Sequence, residues 1–159
     1  MLEIILVILS CVIMTLYVIL HVLQWGFPSS ISFTYYRSYQ NVARWLFPAV
    51  LFTCGALAIT PLLNHTPENY QFLAFFIVAA ILFIAASPAY KDELVGKVHT
   101  GAALVLCAAT IAWLILTNGI PWIAVGGAII GLLRRKEFVF WLEVGLLANL
   151  YKELFVLLF

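Results

Sequence analysis

Charged residues are scarce in this sequence. They make up 9% of its 159 residues, whereas a soluble globular domain carries about 25%. A chain with so little charge cannot cover a hydrophobic core with a polar surface, which excludes a water-soluble globular protein. The net charge is +1 and the basic residues are scattered, so the basic surface of a nucleic-acid-binding protein is absent as well.

Side chains that bind metals are also few. The sequence has three cysteines and three histidines. Cys11, Cys54 and Cys107 lie in three different apolar segments, with no C-x-x-C motif and no histidine nearby. This pattern is typical of buried free thiols, and three scattered histidines do not supply the clustered ligands of a zinc site. We therefore predict neither a metal site nor a bound cofactor.

Hydrophobic residues, in contrast, make up 65% of the chain, and they form long segments. A helix of about twenty apolar residues crosses a bilayer. The long apolar segments therefore predict an all-α fold, namely a polytopic bundle of six transmembrane helices that forms a single domain over residues 1–159. The first segment has no basic region before it and no small-residue cleavage site after it, so we expect a retained span rather than a signal peptide. The six segments are Leu2–Leu23, Val42–Leu63, Tyr70–Ser87, Val98–Thr117, Pro121–Leu133 and Phe138–Phe159.

The fifth segment is the shortest of the six. It contains Gly126 and Gly127, and its apolar part is short for a membrane. Snorkelling by Arg134 and Arg135, or local thinning of the bilayer, would compensate for the missing length. The alternative is a re-entrant segment in a protein with five spans.

The basic residues indicate an orientation. Because cytoplasmic loops are enriched in Lys and Arg, the connections after spans one, three and five are predicted to be cytoplasmic, with both termini outside. This clean alternation favours an even number of spans and an integral protein of the bacterial inner membrane. Lys152 lies in the sixth segment, and the other seven of the eight basic residues lie in those three connections: Arg37, Arg44, Lys91, Lys97, Arg134, Arg135 and Lys136.

A hydroxyl-rich stretch, P-S-S-I-S-F-T-Y-Y, follows the first span at residues 28–36. Ser29 or Ser30 is suited to cap a short interfacial helix. Two interpretations remain open. In the first, the aromatic residues form a belt at the level of the lipid headgroups. In the second, the stretch is the polar mouth of a pocket between helices, and Ser30, Ser32 and Tyr35 belong to it. The belt would consist of Tyr35, Tyr36, Tyr39, Trp25 and Trp45.

A second polar segment opens the fourth span. Asp92 and Glu93 are followed by His99, which would lie in the first or second turn of the helix if the helix begins near Leu94. An ionisable group inside a membrane span predicts a functional site. The alternative is that His99 only forms a hydrogen bond with a neighbouring helix or with a loop carboxylate.

The sixth segment carries four intramembrane polar residues, Glu143, Asn149, Lys152 and Glu153. Asn149 and Glu153 are four residues apart and share a helix face. Lys152 and Glu153 are adjacent and point in different directions, so we do not expect them to pair. Because a charge in lipid is costly, these groups should face the bundle, a wet cavity or another protomer. The alternative is that the end of the helix frays and that Lys152 and Glu153 snorkel outward.

The order of these features resembles a group of uncharacterised small bacterial six-helix membrane proteins and, more distantly, is similar to the DRAM/Sfk/Frag-type membrane proteins. The resemblance implies that the two cytoplasmic segments belong together, and it implies no established activity. The sixth span is not part of it. The residues that carry it are Pro28, Ser30, Ile31, Ser32 and Tyr35, then Pro88, Asp92, Gly96 and His99.

Three functional hypotheses follow. The first is a protein that binds or moves a small solute, an ion or a lipid through a polar pocket open to the cytoplasm. The second is an intramembrane lipid hydrolase with Ser30 or Ser32 as nucleophile, His99 as base and Asp92 as its orienting group. The third is a structural subunit that packs against membrane lipids and further subunits, including a second copy of the chain. We favour the first, in which the protein is not an enzyme; its pocket would comprise Ser30, Ser32, Tyr35, Asp92, His99 and Glu143.

Overall fold

The computed structural model describes residues 1–37 and 42–158. Tyr39 and Phe159, which enter the predictions above, lie outside the described residues. Within those ranges all regular secondary structure is helical. Short 3₁₀ turns precede α3, α4 and α7. The helices are α1 (Leu2–Trp25), α2 (Thr34–Arg37), α3 (Leu46–His65), α4 (Gln71–Ala86), α5 (Glu93–Asn118), α6 (Trp122–Leu133) and α7 (Phe138–Leu158).

Among the described residues, four helices are long and apolar enough to cross a membrane: α1, α3, α4 together with its 3₁₀ turn, and α5. This confirms a helical bundle that is compatible with a membrane protein. α6 has 12 residues, which gives a length of roughly 18 Å against a hydrocarbon core of about 30 Å. α7 has 21 residues, but three of them are charged. Six full spans therefore stay a prediction.

The start of α5 differs from the predicted start of the fourth span. The helix begins at Glu93 rather than Val98. Its first turn is polar, so an apolar pattern does not include it: Lys97 and Glu93 form an ion pair across one turn at 3.0 Å. Asp92, with extended backbone angles, ends the preceding loop. His99 consequently lies in the second turn, at the polar end of a long apolar helix.

α7 is the central helix of the bundle. α1 packs on α3, α3 on α4 and α4 on α5, while α7 contacts α1, α3, α5 and α6. Its buried residues include Phe140, Leu146, Leu150 and Leu154. Because α7 packs against four other helices, it can hold carboxylates such as Glu153 on its protein-facing side, away from lipid.

Glycines bring α6 and α7 close together. A Cβ atom added to Gly127 would lie 2.5 Å from the carbonyl oxygen of Trp141 and 3.0 Å from the Cα atom of Gly145. A Cβ added to Gly126 would meet nothing within 4 Å. The backbones of the two helices therefore touch at Gly127, whereas Gly126 points away from the contact.

The three basic connections meet at one end of the bundle. The Lys91 ammonium lies 4.4 Å from the ring centre of Tyr36, and the Arg134 guanidinium lies 5.2 Å from that of Phe27. These two contacts join the second and third basic connections to the first. At the opposite end, Glu3 accepts hydrogen bonds from Asn64 and pairs with His65. The positive charge of the loops is therefore concentrated on one face.

Candidate functional site

Residues 28–37, which we call the lid, fold over the basic end of the bundle. The hydroxyl oxygen of Ser30 accepts a hydrogen bond from the backbone N–H of Phe33 at 3.1 Å, which confirms the predicted cap for Ser30. The Thr34 hydroxyl donates to the carbonyl of Ile31 at 2.6 Å. These local bonds satisfy backbone groups that a single helical turn leaves unpaired.

Hydrogen bonds attach the lid to the helices around it. The hydroxyls of Tyr17 in α1 and Thr34 lie 2.5 Å apart, and the N–H of Phe140 in α7 donates to the carbonyl of Ser29 at 3.0 Å. The backbone N–H of Lys91 donates to the Tyr36 hydroxyl at 2.6 Å. The lid is therefore held from three sides.

Arg37 fixes the point where the chain leaves α1. Its guanidinium donates to the carbonyls of Trp25, Gly26 and Phe27 at 2.8, 2.7 and 2.9 Å. Gly26 has a φ of 75°, in the left-handed region that glycine enters without a steric penalty. The chain can therefore turn back sharply over the bundle at this residue.

His99 joins the lid to the end of α4. Its side chain is 5% exposed. Its Nδ1 lies 2.8 Å from the carbonyl oxygen of Ser87, and its Nε2 lies 3.0 Å from the hydroxyl oxygen of Ser32. Since a carbonyl oxygen only accepts, Nδ1 carries the hydrogen, and in the neutral ring Nε2 accepts from Ser32. Asp92 is exposed, and the Ser87 carbonyl is the group that orients the imidazole.

Tyr90 covers one side of His99. Its ring centre is 5.0 Å from that of His99, and it packs edge-on against Tyr36 at 4.9 Å. Burial raises the pKa of the Tyr90 phenol, and the neighbouring Tyr36 adds to this effect while a hydrogen bond with Ser30 opposes it. Tyr90 therefore stays neutral at physiological pH.

Glu143 lies directly beneath the lid. Its Oε2 accepts a hydrogen bond from the backbone N–H of Ile31 at 2.6 Å. The side chain is half-buried and forms no ion pair within residues 1–37 and 42–158. One carboxylate oxygen is thus held by the lid, and the carboxylate has no cationic partner in the described protein.

A narrow cavity begins at Glu143 and Ser32 and continues between α1, α3, α4, α5 and α7. Along α7 its wall extends from Glu143 to Leu154, a distance of roughly 16 Å at the rise of an α-helix. Its volume is about 90 Å³. Measured in the same way, one water molecule needs about 10–15 Å³. The cavity therefore has room for about six to nine water molecules. Its wall is mainly apolar, with Leu146, Leu147, Leu150, Phe47, Leu51 and Ile84 among the lining residues.

The structure separates the residues that the sequence grouped in one pocket. Ser32 and Glu143 line the cavity, and His99 contacts Ser32. Ser30 caps the lid, and Tyr35 is buried against the ring of Tyr36 rather than lining the cavity. The sequence could not indicate the Ser87 carbonyl or the Ile31 N–H, because backbone groups leave no signature in the residue types.

A second polar cluster lies at the opposite end. Glu153 is 1% exposed. The amide of Asn118 donates to both of its carboxylate oxygens. The Nζ of Lys152 lies 3.0 Å from Oε1 of Glu153, so the expectation that these two residues do not pair is wrong. Adjacent side chains do leave a helix in different directions, but the long stem of a lysine can fold back to its neighbour.

Asn149 supports the start of α6. Its side-chain oxygen accepts hydrogen bonds from the backbone N–H groups of Ile123 at 3.0 Å and Ala124 at 3.4 Å. Asn149 and Glu153 are both buried, in agreement with the shared inward face that their spacing predicted. Asn149 therefore joins α7 to the start of α6, and Glu153 joins α7 to the end of α5.

Comparisons with protein-family models, curated proteins and solved structures give no match for this chain. The resemblance to small bacterial six-helix proteins stays a prediction. The resemblance implied that the segment after the first span and the segment before the fourth belong together. Ser32 and His99, one from each segment, are in hydrogen-bond contact.

Proposed function

We propose that this chain is an integral membrane protein that binds a single-chain amphiphile, such as a lipid with one hydrocarbon tail, in the cavity beneath the lid. The observation that carries the proposal is the shape of the cavity. Its wall is long and mainly apolar, and Glu143 and Ser32 lie at one end of it. Ligand sites of this kind are largely apolar, with a few polar groups that fix the orientation of the ligand.

The polar end of the cavity is the end that can distinguish ligands. A hydrocarbon tail gains little when it leaves a bilayer for an apolar cavity, because both surroundings are equally apolar. Selectivity must therefore come from the headgroup contacts that Glu143 and Ser32 offer. We propose that this end faces the cytoplasm of a bacterial inner membrane, since the basic connections of the chain lie on the same face.

Filling the cavity is expected to prevent binding. Leu147 lines it on α7, and Leu147→Trp would place an indole in a cavity of about 90 Å³. We expect a photoreactive dodecanol, with a diazirine in its tail, to label purified wild-type protein on the cavity wall. Labelling of Leu147→Trp should fall about tenfold, which corresponds to roughly 1.4 kcal/mol of lost binding.

The matched control is Leu104→Trp. Leu104 is exposed on the surface of α5, so its substitution adds the same indole outside the cavity. It should label as the wild type does, and circular dichroism should show the same helix content for both variants. Equal labelling of Leu147→Trp and wild type at the cavity wall would contradict the proposed binding site.

One observation favours a second candidate function, an acyl hydrolase. The Ser32 hydroxyl lies within hydrogen-bond distance of His99 Nε2, and the Ser87 carbonyl orients His99 through Nδ1. A nucleophile, a base and an orienting group in this order are the usual parts of an activated serine. Ser32 also lines the cavity, where the carbonyl carbon of an acyl chain would lie.

An alkyl fluorophosphonate tests this second candidate. An activated Ser32 would add the phosphonyl group to its oxygen, with loss of fluoride, and mass spectrometry would locate the adduct. Ser32→Ala and His99→Ala would then remain unlabelled, while Ser29→Ala, which changes an exposed serine, would react like the wild type. Protein that stays unlabelled but takes up the photoreactive dodecanol would exclude the hydrolase and leave the binding protein.

A further inference from the structure

We infer that the ligand of the cavity carries a cationic headgroup, an alkylammonium, which pairs with Glu143. This inference rests on the proposed function, because it assumes that a hydrocarbon chain occupies the cavity. It adds the chemical class of the headgroup, which the shape of the cavity alone does not specify.

The first argument is the charge of the cavity wall. Among the lining groups in residues 1–37 and 42–158, Glu143 is the acidic residue and none is Lys, Arg or His. A carboxylate in an apolar surrounding is costly unless it is paired with a cation and satisfied by hydrogen bonds. In the described part of the chain it receives one hydrogen bond, from Ile31, and no ion pair.

The second argument is that three cations of this end already have partners. Arg37 donates to three carbonyls at the end of α1. Arg134 pairs with Glu137, and Lys97 pairs with Glu93. The counter-charge that Glu143 lacks must therefore come from outside these contacts, and a ligand in the cavity can deliver it.

The third argument concerns hydrogen-bond donors. An ammonium group has three donors and no acceptor, and the polar end of the cavity offers the Glu143 carboxylate and the Ser32 hydroxyl oxygen as acceptors. A carboxylate headgroup would instead face a like charge with no basic side chain to offset it. A hydroxyl headgroup could accept or donate one bond but would leave the charge of Glu143 unpaired.

Three ligands with the same tail separate these possibilities. Dodecylamine, dodecanol and dodecanoate would compete with the photoreactive dodecanol for the full chain in lipid nanodiscs at neutral pH, where the amine is protonated. We expect dodecylamine to displace the probe at a concentration about tenfold lower than dodecanol, the factor that about 1.4 kcal/mol of pairing produces. Dodecanoate should be the weakest competitor.

Glu143→Gln is the decisive variant. Its side-chain carbonyl can still accept the bond from Ile31, so the lid stays attached while the charge is removed. We expect dodecylamine to lose its advantage over dodecanol in this variant. Glu93→Gln is the control, because it removes an exposed carboxylate at the same end and should leave the preference for the amine unchanged.

The possible failures are distinct. Equal displacement by dodecylamine and dodecanol, or an amine preference that survives in Glu143→Gln, would overturn the cationic headgroup and leave the proposed lipid site intact. If no dodecyl compound displaces the probe, and the probe itself does not label the cavity wall, the proposed function falls together with the inference.

Discussion

Gly127→Leu is expected to destabilise the protein strongly. The added Cβ atom would lie 2.5 Å from the Trp141 carbonyl oxygen, so the two backbones would have to separate. Overpacking of a close contact costs about 1–3 kcal/mol and occasionally more. For a chain of this size, about 3 kcal/mol lowers the melting temperature by roughly 6–12 °C. Thermal unfolding in detergent, followed by circular dichroism, measures the shift.

Gly126→Leu is the matched control for this prediction. It adds the same side chain one residue earlier in the same helix, where a Cβ atom would meet nothing within 4 Å. Its melting temperature should stay within a few degrees of the wild type. If the two variants melted together, the close approach of α6 and α7 at Gly127 would be disproved.

The second large effect is expected from His99→Leu. Leucine fills a similar volume but leaves the Ser32 hydroxyl and the Ser87 carbonyl without their partner. A buried polar group without a hydrogen bond costs about 1–3 kcal/mol, so we expect a loss of roughly 2–4 kcal/mol of stability. Because Ser32 belongs to the lid, the loss should appear first as faster amide hydrogen exchange in residues 28–37.

Thr100→Val provides the comparison for His99→Leu. Thr100 is the next residue of α5 and is exposed, so its change tests the helix without touching the lid. Hydrogen exchange of the lid should match the wild type in Thr100→Val and rise at least about tenfold in His99→Leu, as about 1.4 kcal/mol of lost protection would produce. An unchanged lid in His99→Leu would show that the bond to Ser32 does not hold it.

The helical fold could be predicted from the sequence because long apolar segments leave a chain few alternatives. A segment such as Leu2–Trp25 has few polar residues with which to form another structure, and Gly26 and Pro28 mark its C-terminal end. The start of α5 could be predicted less well. Hydropathy measures preference for lipid, whereas helix formation continues through polar residues such as Glu93 and Lys97 as long as their backbone bonds form.

The candidate site was predictable only in part, for a different reason. Titratable residues in apolar segments attract notice, and His99 and Glu143 were found in this way. Their partners are the carbonyl of Ser87 and the N–H of Ile31, and every residue has such groups. The residue type of Tyr35 is ambiguous, because a tyrosine fits both a headgroup belt and a buried position. Only the packing of the lid shows that Tyr35 is buried.

For the membrane protein proposed above, the central position of α7 has a consequence for how the chain inserts. A charged residue at the middle of a bilayer costs about 2.5–3.5 kcal/mol on insertion, so α7, with Glu143, Lys152 and Glu153, is poorly suited to enter lipid alone. It also follows α1, α3 and α5 in the chain. We expect the insertion machinery to retain α7 until those earlier helices offer it a protein-lined cleft. The helix that completes the cavity wall is then the last of the lining helices to be synthesised.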